Sequence, residues 1–388
     1  MADLWTCIRV SADNRKPGRL EIQSMFLERS RDLPLDVSID LDGDRSDQSS
    51  YYDSDSESEN SDEDRPGGRV ATQGAQIFPT MWRWRSLSIR NLDMSLHQEF
   101  LEPIWNGRAP NLERLSMEAH PDWDHNSSSG GMPVFKLGAP KLREIRLRQL
   151  PLFFPQCDFI TTLIYEDPVD FHVFKQIEYS SPSLVELKFK GYMFDLVWPD
   201  QYSHPDPVEL PSLRRLTLRL DELDYAGDLS ILLHSLRAPL LEALTVHFGY
   251  NSTFYLLDDA LNQPAVASSY TPVRSLSLEE AHFAKLDVAS ITARFPSITH
   301  VSFVDCKDMR LFFQHLLYPT GVRDGLYEST EVAWPLLQSI CMTAATDADT
   351  DLISRIFSDR NARGLPLVSW AKGPNSWNYL QKKWESVL

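Results

Sequence analysis

The sequence predicts an α/β fold, a leucine-rich-repeat-like solenoid with irregular repeats, parallel strands on the concave face and helices on the convex face. Three observations predict it. One proline-led phrase recurs from residue 80 onward, helix-spaced segments fall between its copies, and one acidic tract with nothing to bury interrupts the chain.

The phrase is proline, any residue, an aliphatic, two residues, an aliphatic, one residue, and a last apolar residue. It reads Pro110-Asn-Leu-Glu-Arg-Leu-Ser-Met117, Pro140-Lys-Leu-Arg-Glu-Ile-Arg-Leu147, Pro182-Ser-Leu-Val-Glu-Leu-Lys-Phe189 and Pro211-Ser-Leu-Arg-Arg-Leu-Thr-Leu218. It returns as Pro239-Leu-Leu-Glu-Ala-Leu-Thr-Val246, Pro296-Ser-Ile-Thr-His-Val-Ser-Phe303 and Pro335-Leu-Leu-Gln-Ser-Ile-Cys-Met342, and one residue shorter as Pro272-Val-Arg-Ser-Leu-Ser-Leu278. Trp84-Arg-Ser-Leu-Ser-Ile89 and Ile160-Thr-Thr-Leu-Ile-Tyr165 match in part. Successive prolines stand 30, 42, 29, 28, 33, 24 and 39 residues apart, so the repeat is irregular. The last two apolar positions alternate as a strand buried on one face requires, and the proline precedes the strand, where its missing N–H costs little. Helical spacing runs through 96–105, 171–177, 229–236, 286–295, 309–317 and 352–357.

Before the acidic tract, 5–10, the helix-like 20–29 and 35–41 read as a capping repeat, which sets a first segment at 1–41. Residues 42–78 then read as an acidic, Ser-rich disordered insertion, and 79–388 as the solenoid with a C-terminal helical cap carrying Trp370, Trp377 and Trp384. Of the formal net charge of −17, residues 40–64 carry 11 acids against the single base Arg45, so self-repulsion and the lack of aliphatics predict disorder. Ser50, Ser54, Ser56 and Ser61 each have an acid three residues later, the pattern of an acid-directed phosphorylation site.

Composition excludes several classes. The overall acidity argues against a nucleic-acid-coating protein. Cys7, Cys157, Cys306 and Cys341 lie too far apart for a zinc module or disulfide scaffold. No basic and apolar leader opens the chain, and its apolar runs fall short of the roughly 18 residues that span a bilayer, so a soluble cytoplasmic or nuclear monomer is expected. Phosphate-loop, dinucleotide and zincin motifs are absent, and His120-Pro-Asp-Trp-Asp-His125 has no ligand-set spacing. The expectation is therefore a non-enzyme with no catalytic residues, no metal and no cofactor. Cys341, on a strand, is expected to pack near the core.

Several phrases together resemble a known family: Leu4-Trp5-Thr-Cys-Ile8, Phe26-Leu-Glu-Arg-Ser-Arg-Asp-Leu-Pro-Leu-Asp-Val37, Trp84-Arg-Ser-Leu-Ser-Ile89 and the Pro-x-Leu-x-x-Leu series. Over most of its length the chain resembles the fungal F-box proteins with degenerate leucine-rich repeats. That resemblance implies a substrate receptor of a cullin–RING ubiquitin ligase, whose F-box binds the ligase adaptor and whose solenoid recruits the protein target. In that family the F-box helices precede the Leu-Trp phrase. Here only Met1-Ala2-Asp3 do, so the expectation is a missing F-box, through truncation or loss, with adaptor binding only if an F-box lies upstream. The alternative is an F-box-less leucine-rich-repeat scaffold with no ubiquitin role.

The residues flanking the last aliphatics of each phrase are expected on the concave face. Glu144, Arg146 and Arg148, then Glu186, Lys188 and Lys190, then Arg215, Thr217 and Arg219 read as three adjacent strands presenting a basic stripe, extended by His247 and His300. Such a stripe suits a protein target with an acidic segment, and the tract at 42–64 is of the sign to compete for it.

Overall fold

Each proline of the phrase turns the chain before its strand begins. In the computed structural model the residue before the proline accepts a backbone bond from the aliphatic three positions on: Ala109 from Leu112, Ala139 from Leu142, Ser181 from Leu184, Leu210 from Leu213, Ala238 from Leu241, Phe295 from Ile298 and Trp334 from Leu337, all at 3.0–3.3 Å. These are β-turns with proline at the second position, where its fixed φ is already correct. The acceptor residue and the aliphatic donor are both buried in every copy. The next backbone amides then reach back to the preceding strand, as Arg143 and Glu144 do to Glu113, and Glu242 and Ala243 do to Arg214.

The structure describes residues 6–11, 19–41, 74–93, 97–120, 134–150, 159–166, 171–190, 207–219, 236–248, 272–283, 288–317, 333–343, 346–366 and 369–372. The molecule is α/β, and every strand pairing among these residues is parallel. The chain divides into two compact units, the first Met1–Asp167 with Tyr179–Leu184 and the second Pro168–Glu178 with Val185–Leu388. That division falls inside the 79–388 span.

In the first unit β1 (Cys7–Ser11), β2 (Leu35–Asp40), β3 (Trp84–Leu92), β4 (Arg114–Ala119), β5 (Glu144–Arg148) and β6 (Thr162–Tyr165) pair in sequence order. The helices α1 (Arg19–Ser30) and α2 (Gln98–Trp105) lie between strands in the chain, and Phe100, Leu101, Ile104 and Trp105 make the buried stripe of α2. Residues 74–77 form a helical turn that runs into a 3-10 helix at Phe78–Arg83. The end of the span read as disordered, 74–78, is thus ordered, because Ile77 is fully buried. Residues 42–73 lie outside the described residues, and with them Ser50, Ser54, Ser56 and Ser61.

The second unit starts with the N-terminal part of α3 (Phe171–Ser180) and carries β7 (Glu186–Phe189), β9 (Arg215–Arg219), β11 (Ala243–His247), β12 (Ser275–Glu279), β13 (His300–Val304), β14 (Ser339–Met342) and β15 (Ser369–Lys372), again in sequence order. A separate pair, β8 (Val208–Glu209) with β10 (Leu236–Arg237), precedes two of the proline turns. Leu236 is therefore in a strand and not at the end of a helix; a short apolar run does not distinguish the two. Three helices follow, α4 (Val288–Arg294), α5 (Met309–Leu317) and α6 (Asp347–Ala362). Met309, Phe312, Phe313, Leu316 and Leu317 form the buried stripe of α5, and Phe312 packs its ring against Phe283, Phe303 and Trp334. Helix α6 starts earlier than its apolar spacing suggests, because Thr346 and Asp349 close a capping box at its N-terminus. Trp370 corrects the helical-cap reading: it lies in β15, paired with Ile340 of β14, while Trp377 and Trp384 lie outside the described residues.

No described helix is long and apolar enough to cross a membrane.

Candidate functional site

Alternation along each strand sends the aliphatics inward and leaves the flanking positions on the opposite, outward face. On β5 Ile145 and Leu147 are buried while Arg146 and Arg148 are exposed. On β9 Leu216 and Leu218 are buried while Arg215 and Arg219 are exposed. Lys188 is half-buried and Lys190 exposed, whereas His247 and His300 are half-buried.

The eight predicted residues do not all fall in one unit. Arg146 and Arg148 belong to the first unit, and Lys188, Lys190, Arg215, Arg219, His247 and His300 to the second. Nor is β5 followed by the strand of Pro182: β6 pairs with β5, registering Leu147 with Tyr165, and Glu166 follows it directly. In the first unit the arginines meet carboxylates, Arg146 with Glu166 at 2.8 Å and Arg148 with Glu118 at 2.9 Å. Glu166 was legible only through the partial phrase at 160–165, whose alternation places it outward.

Asp36 on β2 anchors a second network of the first unit. Arg85 donates to both its carboxylate oxygens, Ser86 Oγ donates at 2.6 Å, and an Arg114 nitrogen lies at 3.7 Å. Burial pushes the Asp36 carboxyl up, but these hydrogen bonds and charges outweigh it and hold the group below its ordinary value.

In the second unit Glu186 sits under Lys188 at 3.0 Å and Arg215 at 3.3 Å. Burial raises its carboxyl, and the two cations more than reverse the effect. The register Glu186↔Arg215 and Lys188↔Thr217 places Lys190 alongside Arg219 on the next outward row. The outward positions of β7 and β9 thus hold four bases, Lys188, Lys190, Arg215 and Arg219, against one acid.

Farther along the sheet the character changes. His247 Nδ1 lies 3.2 Å from Glu279 Oε2, with Glu280 at 3.8 Å from Nε2. His300 Nδ1 is 2.8 Å from Ser339 Oγ, and burial holds its imidazole below the ordinary value. The pairing of a hydroxyl with an imidazole is the beginning of a nucleophile–base arrangement. Cys341 is buried, with its strand neighbours Ile340 and Met342. The Cys306 thiol donates to Leu278 O at 3.2 Å, and burial pushes it up to about 12, so it is protonated at neutral pH.

Among the described residues no group of three His, Cys, Asp or Glu is placed to hold a metal ion. His120 is described, whereas the rest of the His120–His125 loop lies outside the described residues. Compared with known proteins, the chain matches no family model and no curated relative.

Proposed function

We propose that this chain is a non-catalytic protein-interaction module, a leucine-rich-repeat-like solenoid that serves as substrate receptor of a cullin–RING ubiquitin ligase and recruits a protein target bearing an acidic segment. The observation that supports target binding is the outward face of β7 and β9, where Lys188, Lys190, Arg215 and Arg219 lie on registered positions around Glu186. Neighbouring parallel strands run about 4.8 Å apart, so these cations stand on adjacent backbones, close enough for their fields to add and for an extended acidic peptide to meet several at once. The ligase role follows from the sequence resemblance to the fungal F-box proteins, and an intracellular, monomeric receptor accords with it.

Two measurements test the two halves. Acidic peptides of Asp/Glu-rich sequence are titrated against the full chain and against K190E/R219E, at low and high salt. The variant is expected to lose affinity roughly tenfold or more at low salt, with the difference shrinking as salt screens it. Equal affinity for both proteins would overturn the β7–β9 face as the docking surface. For the ligase half, co-precipitation of the cullin adaptor with the protein as encoded in its genome is expected. Its failure, with peptide binding intact, favours a scaffold with no ubiquitin role.

A further inference from the structure

The turns ahead of β3, β4, β5 and β6 stand side by side at one rim of the first unit, because those strands pair in order and in register. Side chains along this rim are tied together. Asn111 Nδ2 donates to the Trp82 carbonyl at 2.7 Å, and Lys141 Nζ donates to Asn111 Oδ1 at 2.8 Å. Arg143 Nη1 donates to the Phe159 carbonyl at 3.2 Å, with its guanidinium 5.2 Å from the centre of the Phe159 ring. At the other end the Arg83 guanidinium lies 5.9 Å from the centre of the Trp82 ring. Arg83 is itself fixed by hydrogen bonds to Ser30 Oγ at 2.6 Å and Leu33 O at 3.1 Å. Both rings are nevertheless open to water, Trp82 at 49% and Phe159 at 52%. Single exposed aromatics are ordinary on a protein surface. Two that are held by a hydrogen-bonded ladder, with cations between them, make a preorganised surface.

We infer that this rim docks an extended segment of a partner protein that carries two apolar side chains four residues apart and a carboxylate midway between them. The spacing follows from the sheet. Three steps of about 4.8 Å separate the turn of β3 from that of β6, about 14 Å in all. An extended chain covers about 13 Å in four residues, and its first, third and fifth side chains share a face. The two outer side chains therefore reach Trp82 and Phe159, and the middle one reaches Asn111 and Lys141. Charge selects an acid at that middle position. The stretches 107–113 and 136–143 carry Arg108, Lys136, Lys141 and Arg143, all exposed, against the single acid Glu113. Backbone bonds from Ala109 N–H to Gly138 O and from Leu137 N–H to Gly107 O join the two stretches, so these cations share one surface. Aromatic anchors beside a complementary charge are the groups that dominate the energy of interfaces. A segment this short buries little area, so the contact is weak and transient. None of these residues belongs to β7 or β9, and the inference stands independently of the target proposed for that face.

The probe is a fluorescein-labelled heptapeptide, Ser-Phe-Thr-Glu-Thr-Leu-Ser, titrated against the full chain by fluorescence anisotropy. Saturable binding below about 1 mM is expected, with a loss of roughly tenfold or more in W82S/F159S and, at low salt, in K141E. A peptide with Lys in place of Glu, and one with its apolar residues three apart, are expected to bind roughly tenfold or more weakly. K190E/R219E is expected to bind the original peptide as the native chain does. Undiminished affinity in either rim variant overturns the inference, as does equal affinity for either altered peptide or no saturable binding by the native chain. A loss confined to K190E/R219E also overturns it, since the peptide then reads the basic face of β7 and β9. Should W82S/F159S unfold, the unaltered chain decides. With p-benzoylphenylalanine in place of the peptide's Phe, photo-adducts on 81–85, 107–113, 136–143 or 159–161 support docking at the rim, and adducts confined to any other part of the chain overturn it.

Discussion

Arg146 Nη2 lies 2.8 Å from Glu166 Oε1, and the two ends of this pair differ in surroundings: the arginine side chain is 48% exposed and the glutamate 12%. A pair that is half in water contributes little by itself, but its two halves are unequal to lose. Removing the glutamate frees an arginine that water already solvates. Removing the arginine takes a positive charge from beside a carboxylate that water scarcely reaches.

Arg146→Ala is therefore expected to cost about 1–2 kcal/mol and Glu166→Gln less than about 1 kcal/mol. Urea denaturation of both variants measures the difference, and equal losses would contradict this asymmetry.

The proline turn and its aliphatic neighbour should separate in the same way. Pro140 acts by presetting φ in the turn closed by Leu142 N–H on Ala139 O, so Pro140→Ala should cost only about 0.5–1 kcal/mol, mostly through the unfolded chain. Leu142 is fully buried, so Leu142→Ala should cost about 2–5 kcal/mol. Thermal or denaturant unfolding checks the ratio.

Asp36 should make the protein acid-sensitive. Its folded carboxyl titrates below the ordinary value, so the unfolded chain binds its proton first as pH falls. The stabilisation is present above the ordinary carboxylate range and disappears as pH falls through the depressed folded value. Asp36→Asn is expected to lower stability at neutral pH and to flatten the loss between neutral pH and about pH 3, read from urea midpoints. A parallel shift of the whole pH profile would show that Arg85 and Arg114 do not set this titration.

Arg360 is buried on α6 and donates to the carbonyls of Trp334, Pro335 and Leu337 at 3.0–3.1 Å, holding the proline turn before β14. Arg360→Ala removes the guanidinium donor from those buried carbonyls and should cost roughly 3 kcal/mol or more. Arg360→Lys, which can reach one or two of them, should recover part of the loss in the same unfolding experiment.

Much of the fold is legible in the chain because its determinants are local. The proline, the aliphatic three residues after the turn begins and the alternation beyond it lie within eight residues of each other, and each copy does form turn and strand. The buried residue before the proline, Ala109, Ala139, Ser181, Leu210, Ala238, Phe295 or Trp334, carries no common chemistry that would reveal it, because burial there admits small and large side chains alike. Helix α6 was legible only in part, since its start is set by the polar Thr346–Asp349 box and not by its apolar stripe. Trp370 misled because a spacing of seven residues to Trp377 fits a helix, whereas pairing with β14 governs the segment.

The candidate site was less legible. Sequence by itself determined which side chains stand outward on each strand, because alternation is a property of the strand alone. Only the tertiary structure decided which of them meet. Connections between phrases range from short to long, so nothing local records that Glu166 comes beside Arg146, or that Arg215 shares Glu186 with Lys188. Burial of Ser277 and Ser302 is likewise invisible in a sequence where serine at an outward strand position is ordinary. It arises in the folded sheet, where β12 and β13 set the two serines opposite each other from positions far apart in the chain.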